Sequence, residues 1–351
     1  MENKLENTKI VYYARIGLVL HAFVLVMLIL HLGKFLFIPL FFALLVALLL
    51  YPLAKFLERY IKRSFSAIIS VLLFLIFVGS IIFFFTKELV LFLRDLPKAQ
   101  SKFFGIVQNI QHWISFKYNI DDTQQMDYLK KSTNNVSNNL VSSIGNTFVG
   151  TIEFVVVFIF FLIFTYFILD HRRLLRNFLL AFFNKQQQAK ITTIIESTRT
   201  VINSYVLGLL TEMATIFALI LIVMLVLGVK YALLIAVIAA VLNIIPYLGI
   251  YIAAAFGMLI ALTNGTGNMA IEVGVTFIIV HFVDANILMP HIVGGRVRIN
   301  PFITIVAVIM GRLIWGIPGM FLFIPLTAIF RIISENVTDL KPWSILIGEE
   351  K

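Results

Sequence analysis

The sequence predicts an all-α polytopic membrane protein with six full spans plus two opposed re-entrant helical hairpins, arranged as an inverted repeat, and a small helical extramembrane domain. Three observations lead there. The 351 residues are 60% hydrophobic and only 13% charged, with a mean hydropathy of +0.99, whereas soluble chains are about half apolar and a quarter charged. The apolar residues fall into runs long enough to cross a bilayer. In the last third, a span followed by a long interrupted apolar segment occurs twice.

A net charge of +10 first suggests nucleic acid. The basic residues, however, lie in short clusters beside apolar runs, which is the pattern of topology-determining charge; the partner expected is the lipid bilayer, and no nucleic acid. There is no cysteine, which excludes disulfides and cysteine-based metal or redox sites. The six histidines are scattered without ligand spacing, and no P-loop, G-x-S-x-G or H-E-x-x-H is found. No enzymatic activity, catalytic residue, metal or cofactor is therefore expected. The N-terminal apolar run is too long for a cleavable signal peptide.

Residues 1–85 form an N-terminal scaffold of three spans, at 16–32, 35–53 and 65–85. Only Gly33 and Lys34 separate the first two, so a tight helical hairpin is expected. Residues 86–148 form an extracytoplasmic domain. Leu96, Phe103, Val107, Ile110 and Ile114 give it an amphipathic helix, and an Asn/Ser-rich loop follows around 134–139. The domain at 149–205 holds a fourth span ending near Asp170 and amphipathic helices beside Arg172, Arg173 and Arg176, suited to a membrane face.

Residues 206–333 form the transport unit and 334–351 a cytoplasmic tail. Within the unit, 206–228 and 271–289 are ordinary spans. Each is followed by a 32-residue apolar segment, 231–262 broken at Pro246 to Gly249 and 302–333 broken at Gly316 to Gly319. As one helix such a segment would be roughly 48 Å long against a core of about 30 Å. As a hairpin, each arm enters the membrane without crossing it. Eight simple spans is the alternative. Lysine and arginine clusters at 4–15, 55–63, 172–190 and 331–341 place both termini in the cytoplasm. Interrupted segments at matching positions of two halves are the best sequence pointer to a transporter's binding site.

The series Tyr205-Val-Leu-Gly208, Asn243-Ile-Ile-Pro246-Tyr-Leu-Gly249, Asp284-Ala-Asn286-Ile-Leu-Met-Pro290, Asn300-Pro301 and Gly316-Ile-Pro-Gly319 resembles the AI-2E (autoinducer-2 exporter) family, also called UPF0118. The similarity covers nearly the whole chain. It implies a multipass protein of the bacterial inner membrane that moves a small polar solute without ATP hydrolysis. Members have been linked both to autoinducer-2 export and to sodium/proton antiport. The resemblance also implies a homo-oligomer, with a pentamer as one form, Na+ or H+ as coupling ion, and elevator-like movement of the hairpin unit. This chain departs from the family's pattern with Arg312 after Gly311, where many members have a small residue, and with Leu209 after Gly208, where a glutamine often stands.

Several residues are candidates for the solute or ion pathway. Glu212 lies about two turns inside the fifth span and is the better proton or cation carrier. Asp284 is either a functional intramembrane acid or an interfacial partner of Arg296 or Arg298. Arg312 binds solute or pairs with Glu212 or Asp284. Asn243 offers an amide for interhelical hydrogen bonding, and Asn286 belongs to the same polar stretch as Asp284. Pro246, Gly249, Gly316, Pro318 and Gly319 free backbone groups at the hairpin tips. Three functions are consistent with this set: export of a small polar solute such as autoinducer-2, sodium/proton antiport, and a non-transporting scaffold acting through residues 86–148.

Overall fold

The computed structural model describes residues 17–18, 20–22, 24–118, 154–244, 249–264, 267–288, 291 and 299–348. In chain order the helices are α1 (Leu20–Leu32) and α4 (Phe154–Ala181), with α2 (Lys34–Leu57), α3 (Arg63–Tyr118), α5 (Lys185–Val226), α6 (Ala232–Leu242), α7 (Gly249–Asn264), α8 (Gly267–Val283), α9 (Pro301–Trp315), α10 (Ile317–Asn336) and α11 (Lys341–Ile347). Among the described residues there is no strand, only an isolated bridge between Ile299 and Gly348. Six helices are long and apolar enough to cross a membrane. The protein is an all-α polytopic membrane protein.

Two helices outrun the expected segments. The third span and the amphipathic helix of residues 96–114 are one 56-residue helix, α3. The fifth span likewise continues the amphipathic stretch before it as the 42-residue α5. In α5 hydropathy changes along the helix without a residue that stops it, and α3 runs on through Pro97, which ordinarily kinks or breaks a helix interior; in neither is the polarity boundary a chain boundary. The expected Asn/Ser-rich loop at 134–139 lies outside the described residues.

The chain divides into two compact units, one of residues 1–48, 157–202 and 298–351, the other of residues 49–156 and 203–297. In the first, α9 and α10 pack against each other around Gly316, whose φ of 68° and ψ of −143° suit glycine and strain other residues. Asn300 caps α9 by accepting from the Phe302 amide at 2.9 Å, and Pro301 occupies the first helical position, where a missing N–H costs nothing. Gly311 and Gly319 meet backbone to backbone, so a Cβ on either would overlap the other's carbonyl. At 20 residues α10 is about 30 Å long, enough to cross a hydrocarbon core; it runs past the expected end at 333.

The break between α1 and α2 at Gly33 is tied to this pair. The Trp315 indole donates to the Leu30 carbonyl at 2.7 Å, and His31 Nδ1 sits 3.0 Å from the Ile314 carbonyl. Two helix ends thus supply each other's missing hydrogen bonds, which an apolar surrounding demands. Trp315 also contacts Phe41 and Phe323, with ring centroids 5.6 and 5.4 Å away.

In the second unit the core is built by the later half of α5 with α6, α7 and α8. It includes Ile216, Ile220 and Met224 on α5, Leu234 and Ile235 on α6, Ile260 on α7 and Phe277 on α8. Small residues let α7 and α8 approach: a Cβ on Gly257 would meet Phe277 and Val273, and one on Gly274 would meet Met258. α6 and α7 have 11 and 16 residues, too short to cross singly. The loop before α6 is pinned to α3. Lys230 Nζ donates to Asp95 Oδ2 at 2.7 Å, and the Tyr231 hydroxyl donates to the same oxygen at 2.6 Å.

Candidate functional site

The second unit brings three of the sequence candidates together. Glu212 projects from a regular turn of α5, Asn243 is the residue that ends α6, and Asp284 opens the π-helical turn at Asp284–Leu288 that ends α8. Asn243 Nδ2 donates to Glu212 Oε1 at 3.1 Å. The Glu212 carboxyl lies near that of Asp284, which in turn lies near the Asn243 amide. Both acids are deeply buried, Glu212 with 7% and Asp284 with 6% of its surface exposed. Tyr205, two turns before Glu212 on the same face of α5, is buried beside it.

The local backbone explains why these groups can meet. A π turn widens the helix at its first residue and leaves a carbonyl in search of a donor. Asn286 supplies one, its Nδ2 bonding the Phe282 carbonyl at 2.8 Å, so its amide supports the turn while Asp284 points inward. Gly249 begins α7 against the Leu242 carbonyl, where any Cβ would overlap it; this close approach folds α7 back beside the Asn243 end of α6. Pro246 lies outside the described residues, as do Arg296 and Arg298.

The other described candidates belong to the first unit. Arg312 is exposed on α9 and forms no ion pair among the described residues. Gly316, Pro318 and Gly319 shape the α9–α10 junction of the first unit. Sequence reasoning passed over His281, one turn before Asp284. Its Nδ1 is buried without a hydrogen-bond partner among the described residues, as is Oδ1 of Asp284. The i, i+3 spacing of the two was the available signal.

Chemically, this is an acid pair with one amide donor, set among apolar helices. Two neighbouring carboxylates repel and are poorly solvated here, an arrangement chemically suited to a proton or a cation between them. Among the described residues no group of side chains is arranged as a metal site.

Comparison with known proteins agrees with a transport role. The AI-2E family transporter model matches residues 18–339. The chain belongs to the AI-2E family. A relative in Bacillus subtilis (strain 168), named "Putative transport protein YueF", is 26% identical over 321 residues, covering 86% of this chain and 85% of its own. "Putative transport protein YrrI" of the same organism is 36% identical over 105 residues, 30% of each chain. "Putative transport protein YhhT" of Escherichia coli (strain K12) is 34% identical over 122 residues, covering 34% of this chain and 35% of its own. The AI-2E family member described here is a multipass membrane transporter.

Proposed function

We propose that this AI-2E protein is a secondary transporter of the bacterial inner membrane that exports a small polar solute such as autoinducer-2, coupled to Na+ or H+ bound at Glu212 and Asp284. The observation that carries the reading is the buried acid pair. An unneutralised charge inside a bilayer is expensive, so two adjacent acids are retained for what they bind. Export direction and autoinducer-2 come from the family's name. The short broken pair α6–α7 supports a re-entrant hairpin within a transport unit of residues 206–333; α9–α10, whose second arm is long enough to cross, is read as the second hairpin from its matching break at Gly316. Both termini are cytoplasmic in this reading, and the assembly is a homo-oligomer, a pentamer in the form the family suggests.

A second reading, sodium/proton antiport, is favoured by the unpartnered Oδ1 of Asp284, an oxygen free to take a cation without any solute. Proteoliposomes decide between the two. Solute export predicts saturable autoinducer-2 flux that responds to an imposed Na+ or pH gradient and falls in Glu212→Gln and Asp284→Asn. Antiport predicts Na+-dependent proton movement in the absence of solute, lost in the same variants. Gradient-independent behaviour in wild type and both variants would sink ion coupling at this pair.

A further inference from the structure

His281 is a half-buried polar group that the proposed ion coupling leaves unused. It lies on α8 one turn before Asp284, at the i, i+3 spacing that sets two side chains on one helix face. Its ring also packs against Tyr251, with centroids 5.6 Å apart. His281 Nδ1 and Asp284 Oδ1 are each sealed from solvent, and neither has a hydrogen-bond partner among the described residues. A buried polar atom without a partner costs about 1–3 kcal/mol, and here two such atoms belong to residues one turn apart. The chemistry of the pair is complementary: Nδ1–H of a neutral imidazole donates, and a carboxylate oxygen accepts.

We propose that His281 and Asp284 together bind one hydroxyl group of the transported solute. A hydroxyl has one donor and two acceptor lone pairs, so it satisfies both atoms at once, accepting from His281 Nδ1–H and donating to Asp284 Oδ1. An ammonium reaches the carboxylate but gives the imidazole N–H no acceptor. A carboxylate solute accepts from His281 but is repelled by Glu212 and Asp284. The site therefore selects neutral hydroxylated solutes over acids of the same carbon skeleton. His281 is the specificity-determining half, because Asp284 also serves the coupling ion. The inference rests on the transporter reading for the source of the hydroxyl; the same chemistry supplied by a water alone is its rival.

The test compares erythritol with erythronate, which differ by one hydroxymethyl against one carboxylate. Binding is measured by calorimetry on the purified full-length protein, and flux separately in proteoliposomes. Wild type is expected to bind erythritol in preference to erythronate. His281→Phe, which keeps a ring against Tyr251 but has no donor, is expected to weaken erythritol binding roughly tenfold or more. His281→Gln, which restores a donor, is expected to recover most of that loss. In flux, His281→Phe should raise KM and leave kcat nearly unchanged. Erythritol bound equally by wild type and His281→Phe would overturn the proposal and leave a water as the hydroxyl, with transport unaffected. A drop in kcat at unchanged KM would assign His281 a structural role and also overturn it. Binding without flux would support the site and remove the transport reading; neither binding nor flux would remove both.

Discussion

The contact between Gly311 and Gly319 predicts opposite signs for the same chemical change at different glycines. A Cβ on Gly319 would fall on the Gly311 carbonyl and 2.9 Å from Trp315 Cβ; one on Gly311 would fall on the Gly319 carbonyl and 3.0 Å from the Met320 amide nitrogen. These obstacles are mainly backbone, so no side-chain rotation relieves them. α9 and α10 would have to part by roughly 1 Å, a gap that forfeits a quarter to a half of the dispersion contact along the seam. Overpacking of this kind costs about 1–3 kcal/mol, partly offset by the gain of up to about 1 kcal/mol for replacing glycine in a helix. Gly311→Ala and Gly319→Ala should each destabilise by about 1–2 kcal/mol. The double variant should lose less than the sum, because both changes act on one contact. Gly79 on α3 has nothing within 4 Å of its Cβ position, and Gly79→Ala should stabilise by about 0.5–1 kcal/mol. Unfolding of the purified protein in mild detergent, followed by circular dichroism, reads all four. Gly319→Ala as stable as wild type would refute the close packing, and equal shifts for Gly79→Ala and Gly311→Ala would refute the reasoning about sign.

Trp315→Phe keeps an aromatic ring beside Phe41 and Phe323 but leaves the Leu30 carbonyl without its donor; a loss of about 1–2 kcal/mol is expected in the same unfolding assay. Gly228 has a φ of 70° and nothing within 4 Å, so Gly228→Ala should cost about 1 kcal/mol through backbone strain alone, while Gly228→Asn should cost less. The Lys230 ammonium is held above the usual lysine range by its hydrogen bond to Asp95. Its contribution is therefore fully present below the ordinary lysine pKa and fades as pH rises through the raised value, an alkaline loss that Asp95→Asn should abolish in stability measured against pH. Asn243 and Glu212 should show a coupling of about 0.5–3 kcal/mol in a double-mutant cycle of Asn243→Leu and Glu212→Leu; a coupling near zero would mean that the 3.1 Å contact carries no energy.

Membrane class was legible from composition because a bilayer imposes its thickness on the length of apolar runs. The breaks were legible because proline and glycine act locally: Gly316 is where the structure turns between α9 and α10, and Gly249 starts α7. Glu212, Asn243 and Asp284 were each visible as polar residues in apolar surroundings, but their meeting was not, since the Asn243–Glu212 contact spans 31 residues. The pairing of Trp315 with Leu30 spans 285 and leaves no periodic trace. His281 was hidden for a different reason. It was weighed against the other histidines as a metal ligand, when its relevant neighbour was an acid on the same helix. The lengths of α3 and α5 were missed because a change from apolar to amphipathic composition moves a helix out of lipid without ending it.

The position of the acid pair bears on how it works. Glu212 sits in the middle of a long regular helix, whose backbone is hydrogen-bonded on both sides and resists local change. Its two partners do not. Asn243 ends α6, and Asp284 opens a π turn, so both sit where the helical ladder is already interrupted. Small changes of dihedral angle at such places cost less than in a continuous helix. Movement of α6 or of the end of α8 would therefore alter the contacts to Glu212 while Glu212 itself stayed in place. In the proposed coupling, an ion held between a fixed carboxyl and a movable one would sense the state of the broken helices. A site composed of two residues on regular helices would bind as well but would not couple. The irregular backbone is thus part of the site, and replacing the π turn by an ordinary one, for instance by deleting Ala285, should impair ion-coupled flux even with Glu212, Asn243 and Asp284 all retained.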